Sequence, residues 1–198
     1  VKQNGKYGIV NKGNKVVLPF DFDWIEPNFS DTLLKVKNNE KFGLMTLNRD
    51  TILPIDFDLI GRTDNSLILI VKDRKVGYIN RSGETGIAPV YQTDPQLLEW
   101  GEFENGYARV KSKGKMGVID TSGTRIVPAI FENMGPYNAW IYPVKKRGKW
   151  GCADKKIKLR IPYEFEMIFA FEDSLARAKK NGFWGLIDVY GKTVIPFS

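Results

Sequence analysis

The feature that most constrains the fold is an internal repeat of about 34 residues. A glycine preceded by an apolar or aromatic residue recurs with spacings of 35, 34, 40, 34 and 34 residues. A proline follows each glycine at a nearly fixed distance, and a lysine precedes it. The six glycines, called the repeat glycines below, are Gly8, Gly43, Gly77, Gly117, Gly151 and Gly185. The pattern predicts six copies of one structural unit in a single repeat domain over residues 1–198.

Each unit is predicted to be a three-stranded antiparallel meander. In the last unit, "LARAKK" alternates small and polar residues with period two, which is typical of a half-buried strand. Asn181-Gly182 predicts a tight hairpin, because both residues tolerate a positive φ. "WGLID" is the second strand, and Asp188 and Gly191 then open and close a second turn. "TVIP" is the third strand, and its proline is expected to end it.

The segments between meanders also repeat. An aromatic residue next to a polar one follows the proline, and an apolar residue such as Ile25, Ile60 or Ile168 comes shortly afterwards. We expect a short extra strand or packing segment there. The five pairs are Phe22-Asp23, Phe57-Asp58, Tyr91-Gln92, Phe131-Glu132 and Phe165-Glu166.

The predicted fold class is all-β. One meander cannot bury its apolar face alone, so neighbouring units must stack on each other. Two arrangements satisfy this requirement: a propeller-like closed ring of six units, and an open twisted β-solenoid. The six near-equal units favour the ring, since an open stack exposes both of its ends.

The composition excludes several classes of chemistry. The chain has no histidine, and Cys152 is its only cysteine. These counts exclude histidine-based catalytic triads, an intrachain disulfide and a cysteine-rich zinc site. We expect no cofactor, no metal and no catalytic residue, and no apolar run is long enough for a membrane-spanning helix. The net charge of +7 permits a polyanionic ligand without predicting one.

Lys149-Trp150-Gly151 and Trp184-Gly185-Leu186-Ile187-Asp188, with the trailing G-x-x-x-I-P, resemble the WG-repeat family, also called KWG repeats. The likeness spans essentially the whole chain, although only two units keep the Trp-Gly pair. It implies an all-β repeat module with interaction or scaffolding roles, often within larger bacterial surface or exported proteins. The family has no agreed catalytic residues, so it implies no particular site.

The irregular spacing between Gly77 and Gly117 indicates a candidate binding surface. The extra residues fall in 93–105, where Asp94-Pro95 predicts the start of a helical turn through Leu97, Leu98 and Trp100. Insertions in repeat proteins often form the binding face. Trp100 is a candidate contact residue there, or alternatively a residue that plugs a gap in the ring of units. Glu99, Glu102 and Glu104 form an acidic patch, and nothing in the sequence fixes the separation of Glu99 and Glu102 that an acid/base pair would need.

The recurring lysines give a second candidate surface. Lys37, Lys111 and Lys179 lie in predicted first strands, and Lys41, Lys115 and Lys149 lie near the hairpins. Together they would form a basic rim for a polyanion. The alternative is that they pair across repeats with the linker acids, which would leave little free positive charge.

These observations predict a non-enzymatic repeat scaffold that binds another protein and is part of a larger bacterial protein. The alternatives are a glycan-binding module at the cell surface and a carboxylate-based hydrolase. A glycan or polyanion is possible as a partner, whereas specific nucleic-acid binding is not expected. The resemblance to WG repeats implies the bacterial cell envelope or export rather than the cytoplasm.

Overall fold

A computed structural model describes residues 1–26, 33–62, 66–95, 98, 101–137 and 140–198. These residues form short antiparallel sheets, one for each predicted unit. They divide into two compact units, Val1–Phe103 and Glu104–Ser198, with three sheets in each. In the described part of the chain, no helix has the length and apolar character needed to cross a membrane. The all-β prediction is confirmed.

The first compact unit holds the first three sheets. The first sheet has the strands β1 (Lys2–Gln3), β2 (Lys6–Val10) and β3 (Val16–Phe22). The second sheet has β4 (Trp24–Ile25), β5 (Leu33–Asn38), β6 (Lys41–Thr46) and β7 (Thr51–Phe57). The third sheet has β8 (Leu59–Ile60), β9 (Leu67–Lys72), β10 (Lys75–Asn80) and β11 (Thr85–Gln92). Strands that follow each other in the sequence are neighbours within each sheet.

The second compact unit repeats this arrangement. The fourth sheet has β12 (Tyr107–Ser112), β13 (Lys115–Asp120) and β14 (Arg125–Phe131). The fifth sheet has β15 (Asn133–Met134), β16 (Ile141–Lys146), β17 (Lys149–Asp154) and β18 (Leu159–Phe165). The sixth sheet has β19 (Met167–Ile168), β20 (Leu175–Lys180), β21 (Phe183–Asp188) and β22 (Thr193–Ile195).

The two hairpins of each meander form as the turn residues predict. Asn181 and Gly182 both have positive φ, 54° and 84°, which matches the twist of the flanking strands. In the second hairpin, one Asp188 carboxylate oxygen accepts hydrogen bonds from the Tyr190 and Lys192 amides. Gly191 has a φ of 83°, the left-handed conformation that its position requires.

The proline was expected to end the third strand, and in five of the six sheets this prediction is wrong. Pro162, for example, lies inside β18, which continues to Phe165. The register between β17 and β18 shifts close to this point, between Trp150 and Cys152. A proline is tolerated there because it lies at a bulge on an outer strand, where its missing N–H breaks no regular ladder. Only β22 ends before its proline, Pro196.

The expected short strand between meanders is present in four sheets. We call it the leading strand; it is β4, β8, β15 or β19, and it pairs with the first strand of the meander that follows. The fourth sheet has no leading strand among its described residues. The isolated bridge between Glu104 and Tyr107 precedes β12 instead, where the insertion enters the meander.

The core lies between consecutive sheets. We call the face that carries the repeat glycine the leading face, and the opposite face, which carries the residue before that glycine, the trailing face. Between the fifth and sixth sheets, Trp150, Cys152 and Ile161 of one trailing face pack with Ala178 and Ile187 of the next leading face. Within each compact unit, the sheets of these clusters therefore stack by burying a trailing face against the following leading face.

Candidate functional site

The first compact unit contains a groove of about 460 Å³ between the second and third sheets. Its apolar lining comes from Trp24, Phe42, Leu59 and Ile60, together with Leu98 of the insertion. Trp24 meets Phe42 edge to face, with ring centroids 6.3 Å apart. We call this pocket the aromatic groove. Its charged lining residues are Asp23, Lys35, Lys37 and Glu40.

The charges around the aromatic groove are paired. The Lys37 ammonium lies 2.6 Å from the Glu40 carboxylate and 5.5 Å from the centre of the Phe42 ring. Lys35 forms a 2.9 Å ion pair with Glu26, and its ammonium also donates to the Ile60 and Gly61 carbonyls. The groove thus presents an apolar floor with a rim in which positive and negative groups balance.

The structure brings two of the sequence-predicted features together, since Lys37 and the 93–105 insertion both line the aromatic groove. Leu98 is the part of the predicted helical turn that the structure describes, and its side chain is 53% exposed. Glu99 and Trp100 lie outside the described residues. The candidate binding surface on the insertion therefore stays a prediction at these two positions.

The other end of the insertion is anchored on the third sheet. Tyr78 donates a hydrogen bond of 2.7 Å to the Gly101 carbonyl and packs edge to face on Phe103. Glu102 accepts a hydrogen bond from the Arg62 amide at 2.9 Å. Glu102 therefore has a structural role in holding the segment after β8, besides its predicted place in the binding surface.

The remaining predicted lysines occupy equivalent positions on separate sheets. Lys111 lies opposite Met116 and Lys179 lies opposite Trp184, just as Lys37 lies opposite Phe42. The Lys179 ammonium is 5.7 Å from the centre of the Trp184 ring and 3.9 Å from Glu166. The third unit differs. There, Val71 lies opposite Val76, the residue before the repeat glycine, and Lys72 lies opposite Lys75.

The linker acids have a role that the sequence did not reveal. Glu132 accepts hydrogen bonds from the Arg147 and Gly148 amides at the hairpin tip of the fifth sheet. Asp58 does the same for the Arg74 amide in the third sheet and also pairs with Lys41 of the second. The equivalent acids are Asp23, which accepts from the Asn39 amide, and Glu166, which accepts from the Gly182 amide.

These contacts lower the pKa of three of the acids, Asp23, Asp58 and Glu132. Hydrogen bonds from the Gly148 and Arg147 amides, with nearby Lys115 and Lys145, hold the pKa of Glu132 below its ordinary value. For Asp58, the hydrogen bond from Lys41 is the largest cause of the lowered pKa, followed by that from the Arg74 amide. The expected pairing of near-hairpin lysines with linker acids is found for Lys6–Asp23, Lys41–Asp58 and Lys115–Glu132.

Two further observations bear on the chemistry. Burial raises the pKa of the Cys152 thiol to about 12, so this thiol is protonated at neutral pH and is a poor nucleophile. Within the described residues, no group of three or more cysteine, aspartate and glutamate side chains is arranged to hold a metal ion.

Comparison with solved structures gives the fold. Hsv2 from Kluyveromyces lactis, with its loop 6CD replaced by a Gly-Ser linker, matches with a TM-score of 0.51 and 11% identity over 86% of this chain. The chain spans 64% of the length of that structure. Another Hsv2 structure from the same yeast gives 0.50 and 12% over 86% of this chain and 61% of its own. These matches are β-propeller-like proteins.

Similarity to other proteins is weaker. The extracellular domain of BT4673 from B. thetaiotaomicron gives a TM-score of 0.47 and 12% identity, covering 97% of this chain and 31% of its own. No curated protein matches the chain in sequence.

The sequence itself matches the model of a known family in four segments. The WG containing repeat model matches residues 7–42, 77–115, 116–150 and 150–182, well over half of the chain. These segments contain the repeat glycines Gly8, Gly77, Gly117 and Gly151 and the leading strands β4, β15 and β19. The chain belongs to the WG containing repeat family.

Proposed function

We propose that this protein is a non-enzymatic repeat scaffold that binds another protein, and that the aromatic groove is one of its binding sites. The observation that carries the proposal is the composition of the groove. Trp24, Phe42 and Leu59 form its floor, and the exposed side chain of Leu98 borders it. Aromatic and aliphatic anchors in a concave site, surrounded by polar groups, are typical of protein-binding surfaces.

The balanced rim favours a protein partner over a polyanion. Lys37 is neutralised by Glu40 and Lys35 by Glu26, so the groove offers little unpaired positive charge to a phosphate or sulfate chain. A glycan would need an open aromatic face for stacking. The Lys37 ammonium lies over the Phe42 ring, 5.5 Å from its centre, and would compete with a sugar for that face. An apolar side chain of a partner protein would fit the groove without displacing these pairs.

Affinity capture with two matched variants tests the proposal. Leu98→Asp places a charge at the edge of the aromatic groove, and Val90→Asp does so at a 60% exposed position that does not line it. We expect a protein retained by the wild type and by Val90→Asp to be lost from Leu98→Asp. Equal retention by both variants would contradict the site.

Two further measurements test the class of partner. Binding of the wild type to immobilised heparin that disappears at high salt would indicate a polyanion, and binding to a glycan array would indicate a sugar ligand. Either result, if Leu98→Asp abolished it and Val90→Asp did not, would replace the protein partner in the proposal. We expect neither ligand to bind at the aromatic groove.

The wider setting is also part of the proposal. We propose that the chain acts within a larger bacterial protein of the cell envelope or an exported one, as its resemblance to WG repeats suggested. The closed ring and the open solenoid are the two proposed arrangements of the six sheets. The likeness to β-propeller-like structures supports the ring, while the exposed trailing face of the sixth sheet supports the solenoid.

A further inference from the structure

The trailing face of the sixth sheet is exposed where the equivalent face of the fifth sheet is buried. In the fifth sheet, Ile141, Trp150 and Ile161 are 0%, 6% and 0% exposed because the sixth sheet covers them. Their register equivalents in the sixth sheet are Leu175, Trp184 and Ile195. These three side chains are 37%, 38% and 50% exposed.

A cationic side chain at one register position bridges consecutive sheets elsewhere in the protein. Lys35, opposite Leu44, donates from its ammonium to the Ile60 and Gly61 carbonyls at 3.4 and 3.2 Å. These carbonyls lie at the end of the leading strand of the next sheet. Lys35 therefore ties the trailing face of the second sheet to the strand that covers it.

The same contact is made in the second compact unit. Arg109, opposite Val118, donates to the Met134 carbonyl at 3.0 Å, and Met134 ends the leading strand β15. In both cases the cation lies opposite the residue that follows the repeat glycine. The contact is thus a property of this register position and not of one particular sheet.

In the sixth sheet this register position is held by Arg177, opposite Leu186. Its guanidinium carbon lies 4.6 Å from the centre of the Phe169 ring and 4.8 Å from that of Trp184. Stacking on two rings limits the rotamers of the side chain, so less ordering is needed when a partner binds. Beside it lies a groove of about 400 Å³ lined by Phe169, Ala170, Glu172, Leu175, Arg177 and Leu186.

We propose that the trailing face of the sixth sheet binds a further leading strand of the WG type. Arg177 donates to the main-chain carbonyls of that strand, as Lys35 and Arg109 do, and Trp184, Leu175 and Ile195 bury its apolar side chains. This site is separate from the aromatic groove and does not depend on it.

The sixth sheet also indicates one difference in the partner strand. In the second and fourth sheets, the first residue of the second strand is Lys41 or Lys115, and it pairs with the acid of the following leading segment. In the sixth sheet the equivalent residue is Phe183, which is 56% exposed. The partner strand should therefore carry an apolar residue where the internal leading segments carry an acid.

A peptide titration tests the site. The probe is the capped peptide Phe-Asp-Leu-Ile-Gly-Arg, which copies residues 57–62, the segment that supplies the carbonyls bound by Lys35. Binding is measured from the NMR shift of the Trp184 indole N–H. We expect saturable shifts with the wild-type protein, and tighter binding of a second peptide in which the aspartate is replaced by leucine.

Three variants separate the proposed contact from general effects. Arg177→Leu should weaken binding about tenfold, because it removes the charged donor. Leu69 occupies this register position in the third sheet, so the fold accepts leucine there. Arg177→Lys should bind within about twofold of the wild type, since Lys35 makes the same contact with a lysine. Arg125→Leu, on β14 of the fourth sheet, is the matched control and should leave binding unchanged.

The same experiments can overturn the proposal. If the Trp184 signal did not shift at peptide concentrations up to about 5 mM, the proposal would be wrong, because an ordered site should have a Kd below that concentration. Equal binding by Arg177→Leu and the wild type would remove the role of Arg177. Sedimentation that shows self-association of the chain, with Trp184 protected in the absence of peptide, would show that contact between whole copies, and not a leading strand, covers the face.

Discussion

The repeat glycines are required by the close approach of the second and third strands. At all six positions, a Cβ atom would lie between 2.5 and 3.0 Å from a main-chain carbonyl oxygen of the third strand. For Gly151, the distances would be 2.5 Å to the Ile161 oxygen and 2.9 Å to Pro162. The bulge at the proline brings the two backbones together at this point. The glycine is therefore required by the packing of these two strands.

Gly151→Ala should destabilise the protein by about 2 kcal/mol, because the added methyl group has to push the Ile161 carbonyl away. Chemical denaturation monitored by circular dichroism measures the change in the free energy of unfolding. Gly13→Ala is the control: its Cβ would meet only Asn11, at an ordinary 3.4 Å, so its stability should change little. Similar free energies of unfolding for the two variants would show that the third strand moves away from the added methyl group without a loss of stability.

At the level of the strands and hairpins, each of the four linker acids connects its meander to the next. Glu132 follows β14 and accepts two amide hydrogen bonds from the hairpin tip between β16 and β17. The tip amides point away from their own ladder, so without the acid they would be satisfied only by solvent. The acid thus fixes the position of one hairpin relative to the preceding strand.

These contacts should make the stability depend on pH. Because the folded-state pKa of Glu132 lies below its unfolded value, its contribution is complete above about pH 4.3 and disappears as the pH falls through the folded-state pKa. We expect Glu132→Gln to melt at a lower temperature than the wild type at pH 7. The difference between the two melting temperatures should shrink below about pH 4.

Glu164→Gln is the control for this prediction. Glu164 forms an exposed ion pair with Lys180 and accepts no hairpin amide among the described residues, so its removal should affect stability little at either pH. If the difference in melting temperature between Glu132→Gln and the wild type stayed constant down to pH 2, the charge of Glu132 would not be what stabilises the hairpin.

For the molecule as a whole, the sequence revealed those features that are local. The six units, the Asn-Gly and Asp-x-x-Gly turns and the leading strands follow from residues that are close together along the chain. The position of the proline was missed because the bulge depends on the pairing of two strands. The contact between an acid and a hairpin was missed because Glu132 and Gly148 are 16 residues apart.

The candidate sites were predicted less completely than the fold. The sequence pointed to Lys37 and to the insertion, and these line one groove. It did not point to Lys35, Arg109 and Arg177, because the equivalent residues of the third and fifth sheets are Leu69 and Pro143. A position held by lysine, leucine, arginine and proline gives no repeat signal. Its shared role is visible only from the register of the strands and the carbonyls that they face.

The two proposed arrangements of the six sheets differ in the environment of one tryptophan. In a closed ring, every trailing face is covered by another sheet, so Trp184 and Trp150 should be protected alike. In an open solenoid, the last trailing face stays accessible. The exposed fractions of 38% for Trp184 and 6% for Trp150 lead us to expect that hydroxyl radicals oxidise Trp184 several-fold faster in the native protein. Peptide mass spectrometry measures both rates in one sample, and the denatured protein gives the intrinsic reactivity of each ring. Equal protection of the two rings would support the closed ring, and it would also remove the face on which Arg177 is proposed to bind a partner strand.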